Sequence, residues 1–390
     1  MRARRGLWIA AYALVVAAFL ASVTRYYHPP FGFTTFIEFP ASAHSYEIPA
    51  VQNAPHFDNP ASPGYDGMFY AQLAVDPLLR DPAIDRALDN PPYRARRILF
   101  SWTAYALGLG RPEWILRAYA IQNVMAWLLF AWLLIRWMPP STPRAFVLWT
   151  GTLLSPGMLA SVRLALPDAP SALLVACALA VAERSSASLR AGPLMAASAM
   201  VGLAGLGRET SILAAAFLAK FVRRDWRSWL LVATCGLVCL LPLALWVDYL
   251  RSIYRADALT NPGQVTTPLS GLIWKLGAIR QELSRAPFSW PTTISVLAVL
   301  GFFAQAAWIL REIARPGERL PWALAGAAYV LLGLAAHAVV WEGSPGAFTR
   351  VLLPLTVAAN VLLATRPRAS WAIIVTANLS AIPAMIMFGS

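Results

Sequence analysis

The sequence predicts an all-α polytopic membrane protein, and two features of the chain lead to that fold class. Hydrophobic residues make up 58% of the 390 residues, charged residues make up 13%, and the mean hydropathy is +0.56. A soluble globular domain carries about 25% charged residues. The apolar residues also form long runs, and a helix needs roughly 20 of them to cross the hydrocarbon of a bilayer. We therefore expect one integral membrane domain over residues 1–390.

Eleven apolar runs are predicted to be transmembrane helices, although some are short. They cover about 7–24, 114–137, 145–162, 169–183, 191–206, 209–222, 228–247, 289–310, 321–340, 349–364 and 371–388. The first run follows Met1-Arg-Ala-Arg-Arg, as a secretory signal would, but it is long and no small-x-small cleavage site follows it. An uncleaved anchor with an inner N-terminus is therefore expected, and eleven spans then place the C-terminus outside.

The charges predict the same orientation, because short inner loops of membrane proteins collect Arg and Lys. In the eleven-span layout the inner side receives half of the 32 Lys and Arg residues but only four of the 19 acids. The basic residues are Arg2, Arg4, Arg5, Arg136, Arg144, Arg184, Arg190, Lys220, Arg223, Arg224, Arg227, Arg311, Arg315, Arg319, Arg366 and Arg368, and the acids are Glu183, Asp225, Glu312 and Glu318. The net charge of +13 is therefore an orientation signal, and no nucleic-acid partner is predicted.

Two long segments interrupt the spans and are predicted to lie outside: the first long loop, residues 25–113, and the second long loop, residues 248–288. In the first long loop we expect an irregular stretch to about residue 63, a helix over 65–74 and a second helix over 94–109. The apolar face of the second helix would consist of Ile98, Leu99, Trp102, Ala106 and Leu109. This helix is too short to span the bilayer, so we expect it to lie along the outer interface.

Asp66 is the first candidate for chemistry, because it lies in the first long loop within Gly64-Tyr65-Asp66-Gly67-Met68-Phe69-Tyr70. The two glycines would let the backbone approach a ligand closely, and Tyr65 and Tyr70 offer aromatic faces of the kind that pack on sugars. A helix N-cap with ordinary aromatic packing would use the same residue types. Both interpretations stay open on the residues alone.

Further charged residues are predicted at the same outer face. Asp168 follows Arg163 at the end of one predicted span, and it could cap the next helix or face a cavity. In Arg208-Glu209-Thr210 the arginine could hold a lipid phosphate or pair with its neighbour. Arg350 could bind substrate or anchor a span at the interface. Arg94 and Arg97 could likewise bind substrate or rest on lipid phosphates. Their convergence with two carboxylates favours a substrate-binding site.

Other sequence motifs are absent. The four histidines, His28, His44, His56 and His337, have no spacing that implies a metal site, and no metal ligand is predicted. The chain also lacks a glycine-rich phosphate loop, a nucleophile elbow and an HExxH motif.

Several of these motifs resemble the polyprenyl-phosphate-dependent GT-C glycosyltransferases, the group that contains protein O-mannosyltransferases and lipid A aminoarabinose transferases. Tyr65-Asp66-Gly67 resembles the site of the catalytic Asp that the group carries in the loop after its first span. The stretch from Arg97 to Gly110 is similar to the group's interfacial helix, and Pro112-Glu113-Trp114 with Arg117 to its second span. Leu166-Pro167-Asp168-Ala169-Pro170 is similar to its Pro-Asp-x-Pro signature. Arg208-Glu209-Thr210 and Arg350-Val-Leu-Leu-Pro354 resemble motifs of uncharacterised bacterial relatives, and the likeness is weaker beyond residue 220.

The resemblance implies a GT-C-like, multi-pass protein of the bacterial inner (plasma) membrane whose active site faces the periplasm or exterior. It implies a polyprenyl-phosphate-linked sugar as donor and a glycolipid, polysaccharide or protein as acceptor. Asp66 would be the general base of an inverting transfer, and Arg208 and Arg350 would stabilise the lipid-phosphate leaving group. Asp168 would orient the acceptor, assist the base or hold a cation. The other candidate substrate-binding residues are Tyr65, Tyr70, Arg94, Arg97, Arg163 and Glu209. No cofactor is firmly expected, and a divalent cation is left open.

Two other functions are compatible with the residues. A transporter or flippase of lipid-linked sugars would usually show inverted repeats and charges at mid-membrane depth, and this chain shows neither clearly. A non-catalytic membrane scaffold would tolerate substitution of all the candidate residues. The large first loop and the carboxylates predicted outside favour the transferase.

Overall fold

Helices dominate the computed structural model, which describes residues 2–185, 190–255, 266–286, 289–315, 317, 319–366 and 369–389. The predicted all-α fold class is therefore confirmed. Within these ranges the strands are β1 (Phe39–Pro40) and β2 (Asp58–Asn59), which pair in parallel with Phe39 opposite Asp58. The same ranges contain 3-10 helices at Thr34–Ile37, Ala41–Tyr46 and Glu209–Phe221.

The α-helices follow one another along the chain in this order. They are α1 (Arg2–Thr24), α2 (Pro49–Gln52), α3 (Asp66–Val75), α4 (Ile84–Ala87), α5 (Pro91–Ala95), α6 (Leu99–Leu107), α7 (Pro112–Leu134), α8 (Pro143–Leu153), α9 (Pro156–Arg163), α10 (Asp168–Ser185), α11 (Ala191–Gly207), α12 (Trp226–Ile253), α13 (Ser270–Arg285), α14 (Trp290–Ile313), α15 (Leu320–Ala335), α16 (Ala338–Trp341), α17 (Phe348–Val351), α18 (Leu353–Ala364), α19 (Trp371–Asn378) and α20 (Ala381–Gly389).

Helical structure lies on all eleven predicted spans, and the chain is polytopic. In the described ranges, five stretches are long and apolar enough to cross a bilayer: α1, α7, α12, α14 and Trp371–Phe388, which combines α19 and α20. Helices α8 and α9 form a sixth if they are taken together, with a bend of 43° between them. The other predicted spans coincide with α10, α11, the 3-10 helix Glu209–Phe221, α15 and α18, which are shorter or carry more charge.

The predicted span 209–222 is a 3-10 helix of 13 residues, Glu209–Phe221. A 3-10 helix rises about 2.0 Å per residue, against about 1.5 Å in an α-helix, so this segment extends roughly 26 Å. That length approaches the hydrocarbon thickness of about 30 Å. As a 3-10 helix these 13 residues therefore extend further across the bilayer than they would as an α-helix.

The charged residues predicted inside and the predicted site residues gather at opposite ends of the helices. At one end Glu183 pairs with Arg319 at 3.0 Å, and Glu312 pairs with Arg366 at 2.8 Å. At the other end α10 begins with Asp168. Four residues of the predicted inner set lie outside the described positions, wholly or in their side chains: Glu318, Arg368, Arg2 and Arg4. This separation agrees with the predicted topology, and the membrane side that each end faces stays a prediction.

The first long loop follows the prediction in its first helix and departs from it in the second. The helix predicted at 65–74 is α3, whereas the one predicted at 94–109 is divided into α5 and α6. The break falls at Arg96 and Arg97, whose side chains turn toward Glu209. The predicted apolar face is wrong at its end, because α6 ends at Leu107 and the chain turns at Leu109 (φ +51°). The buried residues of α6 are Phe100, Ser101 and Ala104.

The second long loop contains the end of α12 and the helix α13, while residues 256–265 and 287–288 lie outside the described part of the chain. Lys275 of α13 is buried. Its ammonium group donates to the carbonyl oxygen of Gly343 at 2.6 Å and to Ser295 Oγ at 3.2 Å. The second long loop is therefore tied to the turn that follows α16.

Gly67 packs against protein backbone, although the sequence indicated that it leaves room for a ligand. A Cβ atom at this position would lie 2.4 Å from the carbonyl oxygen of Leu164 and 3.0 Å from that of Ile37. Gly64 has a φ of +85°, which residues other than glycine rarely adopt. The two glycines therefore fix the start of α3 against the end of α9.

We expect Gly67→Ala to destabilise the protein by about 1–3 kcal/mol, because backbone must move to admit the methyl group. Thermal unfolding of the purified protein in detergent would record this as a lower Tm. Gly277→Ala in α13 is the matched control, since nothing lies within 4 Å of an added Cβ there. Its Tm should be unchanged or higher. Equal Tm values for Gly67→Ala and wild type would contradict this role of Gly67.

Candidate active-site cavity

A cavity of about 880 Å³ brings most of the predicted site residues together. Its wall comes from α3, α5, α9, α14, α15, α16, α17 and α20, from the start of the 3-10 helix Glu209–Phe221 and from the turn 342–347. The predicted residues that line it are Tyr65, Asp66, Arg94, Arg97, Arg163, Arg208, Glu209 and Arg350. Asp168 and Tyr70 do not line the cavity, because they are buried in the wall at 2% and 1% exposure.

Asp66 occupies the first turn of α3, and the N-cap position belongs to the extended residue Tyr65. The interpretation of Asp66 as the N-cap is therefore wrong. Asp66 Oδ1 lies 2.9 Å from Arg94 Nη2, and its side chain is 30% exposed. Arg94 also binds Asp89 through two hydrogen bonds of 2.7 and 2.8 Å. The Asp66 carboxylate is thus held by Arg94 and remains accessible to the cavity.

The charges around Asp66 keep it ionised. Burial alone would raise its pKa, because the charged form loses solvation. The charge and hydrogen bond of Arg94 oppose this effect, with further contributions from Arg350 and Arg97, and the pKa of Asp66 lies below its ordinary value. The side chain is therefore a carboxylate at neutral pH.

Arg97 and Glu209 form a second link across the wall. Arg97 Nε donates to Glu209 Oε2 at 2.9 Å, and its Nη1 and Nη2 donate to the hydroxyl oxygens of Tyr70 (2.7 Å) and Tyr93 (2.6 Å). Glu209 therefore joins the first long loop to the 3-10 helix. The alternative of a local pair with its neighbour Arg208 does not describe its main contact. Tyr70 supports Arg97 from behind the wall, so its ring is not presented to the cavity.

Asp168 is held by two arginines that line the cavity. Its Oδ1 contacts Arg208 Nη1, and its Oδ2 lies 3.7 Å from Arg350 Nη1. The Asp168 side chain is 0% exposed, whereas those of Arg208 and Arg350 are 14% and 11% exposed. Arg350 Nη2 also donates to the Tyr65 hydroxyl at 3.0 Å. Asp168 therefore fixes the direction of two positive charges at the cavity wall.

Arg163 pairs with Glu38 in the first long loop, although Asp168 is nearer in sequence. Its Nη1 lies 2.5 Å from Glu38 Oε1, and its guanidinium group lies over the ring of Tyr26 at 4.6 Å from the centroid. Arg163 ends α9 while Asp168 begins α10, so the turn between them separates the two side chains. The Arg163–Glu38 pair thus joins α9 to the first long loop.

The remaining lining of the cavity is largely apolar. It includes Pro156, Leu159, Ala160, Leu164, Ile294, Leu332, Ala336, Val339, Val340, Val351, Ala384, Met387 and Phe388. A ligand that fills this space would contact both guanidinium groups and hydrocarbon side chains. An anionic group attached to a lipid can use both kinds of contact, the guanidinium groups for its charge and the apolar side chains for its hydrocarbon.

Sequence reasoning missed Tyr93, and it identified the external turn before Arg350 without assigning residues 342–347 to the site. The guanidinium carbons of Arg94, Arg96 and Arg97 lie 5.4, 5.1 and 4.6 Å from the ring centroid of Tyr93. A tyrosine directly before a group of arginines was the available signal, since arginines favour aromatic faces. In the turn, Gly346 has a φ of +113°, and the Gly-Ser-Pro-Gly run was a signal for such a turn.

The carboxylates at and behind this wall hold guanidinium groups. Asp66 contacts Arg94, and Glu209 contacts Arg97. A cation bound at Asp66 would have to compete with the Arg94 contact. Among the described residues, the side chains grouped closely enough to share a cation lie in the first long loop and do not line the cavity.

Comparison with known proteins finds a likeness of structure without a match in sequence. No protein-family model matches the chain, and no curated protein matches it. A solved structure of ArnT from Cupriavidus metallidurans in the apo state superposes with a TM-score of 0.48 at 16% sequence identity. The match covers 94% of this chain and 62% of the ArnT chain, so this chain spans about three fifths of the length of that protein.

Proposed function

We propose that the protein is a membrane glycosyltransferase of GT-C type that moves a sugar from a polyprenyl-phosphate donor to a hydroxyl group of a cell-envelope acceptor. The observation that carries this proposal is the cavity itself. It combines the ionised Asp66 with Arg208, Arg350 and an apolar lining. We place the reaction at the outer face of the bacterial inner membrane, as the charge pattern predicts.

The cavity suits a donor that is anionic at one end and hydrocarbon at the other. Its volume of about 880 Å³ falls in the range of small-molecule sites, roughly 300–1,000 Å³. That space would admit a sugar phosphate and the first part of a lipid chain. The rest of the polyprenyl chain would continue past apolar residues such as Ile294 and Leu332.

In the proposed reaction the acceptor hydroxyl oxygen attacks the anomeric carbon of the sugar. The bond from that carbon to the phosphate oxygen breaks, and its electron pair leaves with the polyprenyl phosphate. Attack from the face opposite the leaving group inverts the anomeric centre. Asp66 takes the hydroxyl proton. A lowered pKa keeps Asp66 ionised but makes it a weak base, so we place the proton transfer after the attacking oxygen has gained positive charge.

Arg208 and Arg350 are the proposed stabilisers of the leaving phosphate. A guanidinium group can bind phosphate oxygens through two hydrogen bonds and stabilises the charge that develops as the bond breaks. Asp168 contacts both groups from behind, so we assign it as a positioning residue. Its burial favours this role over direct contact with an acceptor.

Release of polyprenyl phosphate from a panel of polyprenyl-phosphate sugars by the purified protein in lipid nanodiscs tests this function. We expect release with at least one donor, and faster release when a hydroxyl acceptor is present. Movement of the intact lipid across vesicle bilayers without any release would support a transporter instead. Unchanged cell-envelope glycans after combined substitution of Asp66, Asp168, Arg208 and Arg350 would support a scaffold.

The pH dependence of release should report the Arg94–Asp66 contact. Arg94 lowers the pKa of Asp66, and burial raises it. In Arg94→Gln the lowering effect of Arg94 is lost, so the pKa of Asp66 should rise. The acid limb of the release rate should then move to higher pH. Arg96→Gln is the matched control, because Arg96 contacts Glu209 rather than Asp66. An acid limb that stays in place in Arg94→Gln would contradict the assignment of Asp66 as the ionised group.

A further inference from the structure

We propose that the first long loop contains a binding site for a divalent transition-metal cation of zinc type, outside the cavity. Its ligands are His44, Glu47, His56 and Asp58. One nitrogen or carboxylate oxygen from each of the four side chains lies within 4.8 Å of the corresponding atoms of the others. Two imidazoles and two carboxylates are a ligand set that zinc accepts.

The distances in this cluster fit a shared cation. His44 Nδ1 lies 3.3 Å from Glu47 Oε2 and 3.6 Å from Asp58 Oδ2. His56 Nε2 lies 3.4 Å from Glu47 Oε2 and 3.0 Å from Asp58 Oδ1. A tetrahedral zinc ion with bonds of about 2.0–2.1 Å separates its ligand atoms by about 3.3 Å.

Two side chains of the cluster, Glu47 and His56, are buried and face the space between the four ligands. The side chains of Glu47 and His56 are each 2% exposed. Both carboxylate oxygens of Glu47 and Nε2 of His56 lack a hydrogen bond of good geometry, and the polar atoms facing Glu47 Oε2 and His56 Nε2 are those of the other cluster members. A buried carboxylate left in this way is costly, and a cation would compensate it.

The second ring nitrogen of His56 sets its orientation. Nδ1 lies 2.8 Å from the carbonyl oxygen of Ala54. A carbonyl oxygen can only accept, so Nδ1 carries a proton, and Nε2 is the ring nitrogen that would lose its proton to bind a cation in the cluster. Metal-binding histidines are commonly held by such a bond from the other ring nitrogen. Two carboxylates with two neutral imidazoles carry two negative charges, which a divalent cation would balance.

The fold brings together ligands that their spacing in sequence did not indicate. His44 lies in the 3-10 helix Ala41–Tyr46, and Asp58 lies in β2. Half of the set is carboxylate, so the positions of the histidines alone could not reveal it. The site has four protein ligands, as structural zinc sites do, and we assign it a structural role.

The bound cation would secure one edge of the cavity wall. Asn59, next to Asp58, donates through Nδ2 to Glu38 Oε2 at 3.2 Å. Glu38 in turn holds Arg163, which lines the cavity. A cation at Asp58 would therefore hold β2, and the other residue of β2, Asn59, supports the Glu38–Arg163 pair.

Zinc binding by the full-length protein tests the site. The protein in detergent would be stripped with a chelator, titrated with Zn²⁺ and desalted, and bound zinc and Tm would be measured. We expect one Zn²⁺ per chain and a Tm that rises on zinc addition. His44→Gln should weaken the binding by at least about tenfold. Its side chain is 46% exposed, so this variant should still fold.

Controls separate this site from zinc bound elsewhere. His28→Gln removes a histidine of the same loop that is not part of the cluster and should bind zinc as wild type does. Glu47→Gln should lose the binding together with the zinc-dependent rise in Tm. Equal zinc binding by wild type, His44→Gln and Glu47→Gln would overturn the proposal, as would absence of zinc binding by the wild type. These readouts do not depend on transferase activity.

Discussion

Asp66→Asn should abolish sugar transfer, with the rate of polyprenyl phosphate release falling by about 10²–10⁴-fold. The amide cannot take the acceptor proton. Its oxygen can still accept from Arg94, which lies 2.9 Å from Asp66 Oδ1, so the cavity should keep its shape. Single-turnover release with saturating donor is the appropriate measurement, because it separates the chemical step from donor binding. Donor affinity should stay close to that of the wild type.

Asp89→Asn provides the matched control for this prediction. Asp89 binds the same Arg94 through two hydrogen bonds, but it does not line the cavity. Its substitution should leave release nearly unchanged. Equal losses in the two variants would show that the orientation of Arg94 matters rather than a base at Asp66. Full release by Asp66→Asn would remove Asp66 from the chemistry.

Asp168→Leu should destabilise the protein by about 3–5 kcal/mol, because it leaves two largely buried guanidinium groups without their shared carboxylate. Arg208 and Arg350 are only 14% and 11% exposed, so water cannot replace the lost contacts fully. Thermal unfolding in a single detergent, followed by the fraction that remains monodisperse, would measure the loss. The expected result is a large drop in Tm or failure to purify.

Two further variants distinguish a positioning role for Asp168 from a general loss of folding. Asp168→Asn keeps an oxygen that can accept from Arg208 and should fold, but it should release polyprenyl phosphate more slowly because the arginines lose their fixed direction. Glu312→Gln removes the charge of a buried carboxylate but keeps an oxygen that can accept from Arg366, whose side chain is 45% exposed to water, so it should cost only about 1 kcal/mol. A Tm for Asp168→Leu equal to that of Glu312→Gln would refute the role assigned to the buried pair.

The sequence predicted the helical segments and most of the cavity residues because hydropathy and charge act locally. Charges are scarce in this chain, so Asp168 and Arg350 stand out at the ends of apolar runs, and Asp66 stands out in a run of glycine and aromatic residues. The pairing of these charges depends on which helices meet, and sequence distance does not report that. Arg208 binds Asp168, forty positions away, rather than its neighbour Glu209. The break between α5 and α6 arises for the same reason, since tertiary ion pairs override local helix propensity.

The geometry of the 3-10 helix and of the metal cluster also lay beyond sequence patterns. An apolar run of 13 residues has the same hydropathy in either type of helix, so only packing against α11 and α15 decides its reach. The four cluster residues, two histidines and two carboxylates, come from a 3-10 helix, a two-residue strand and the residues beside them. Neither feature produces a repeating pattern along the chain.

The contact between the two ends of the chain has a consequence for the order of assembly. The Tyr26 hydroxyl donates to the carbonyl oxygen of Phe388 at 2.6 Å, and Ala384, Met387 and Phe388 line the cavity. Proteins are synthesised from the N-terminus, so Asp66 and Arg208 are made before α20. A chain still emerging from the ribosome therefore has the charged residues of the site but lacks part of its apolar wall. The cavity is completed only when α20 docks against the segment that follows α1.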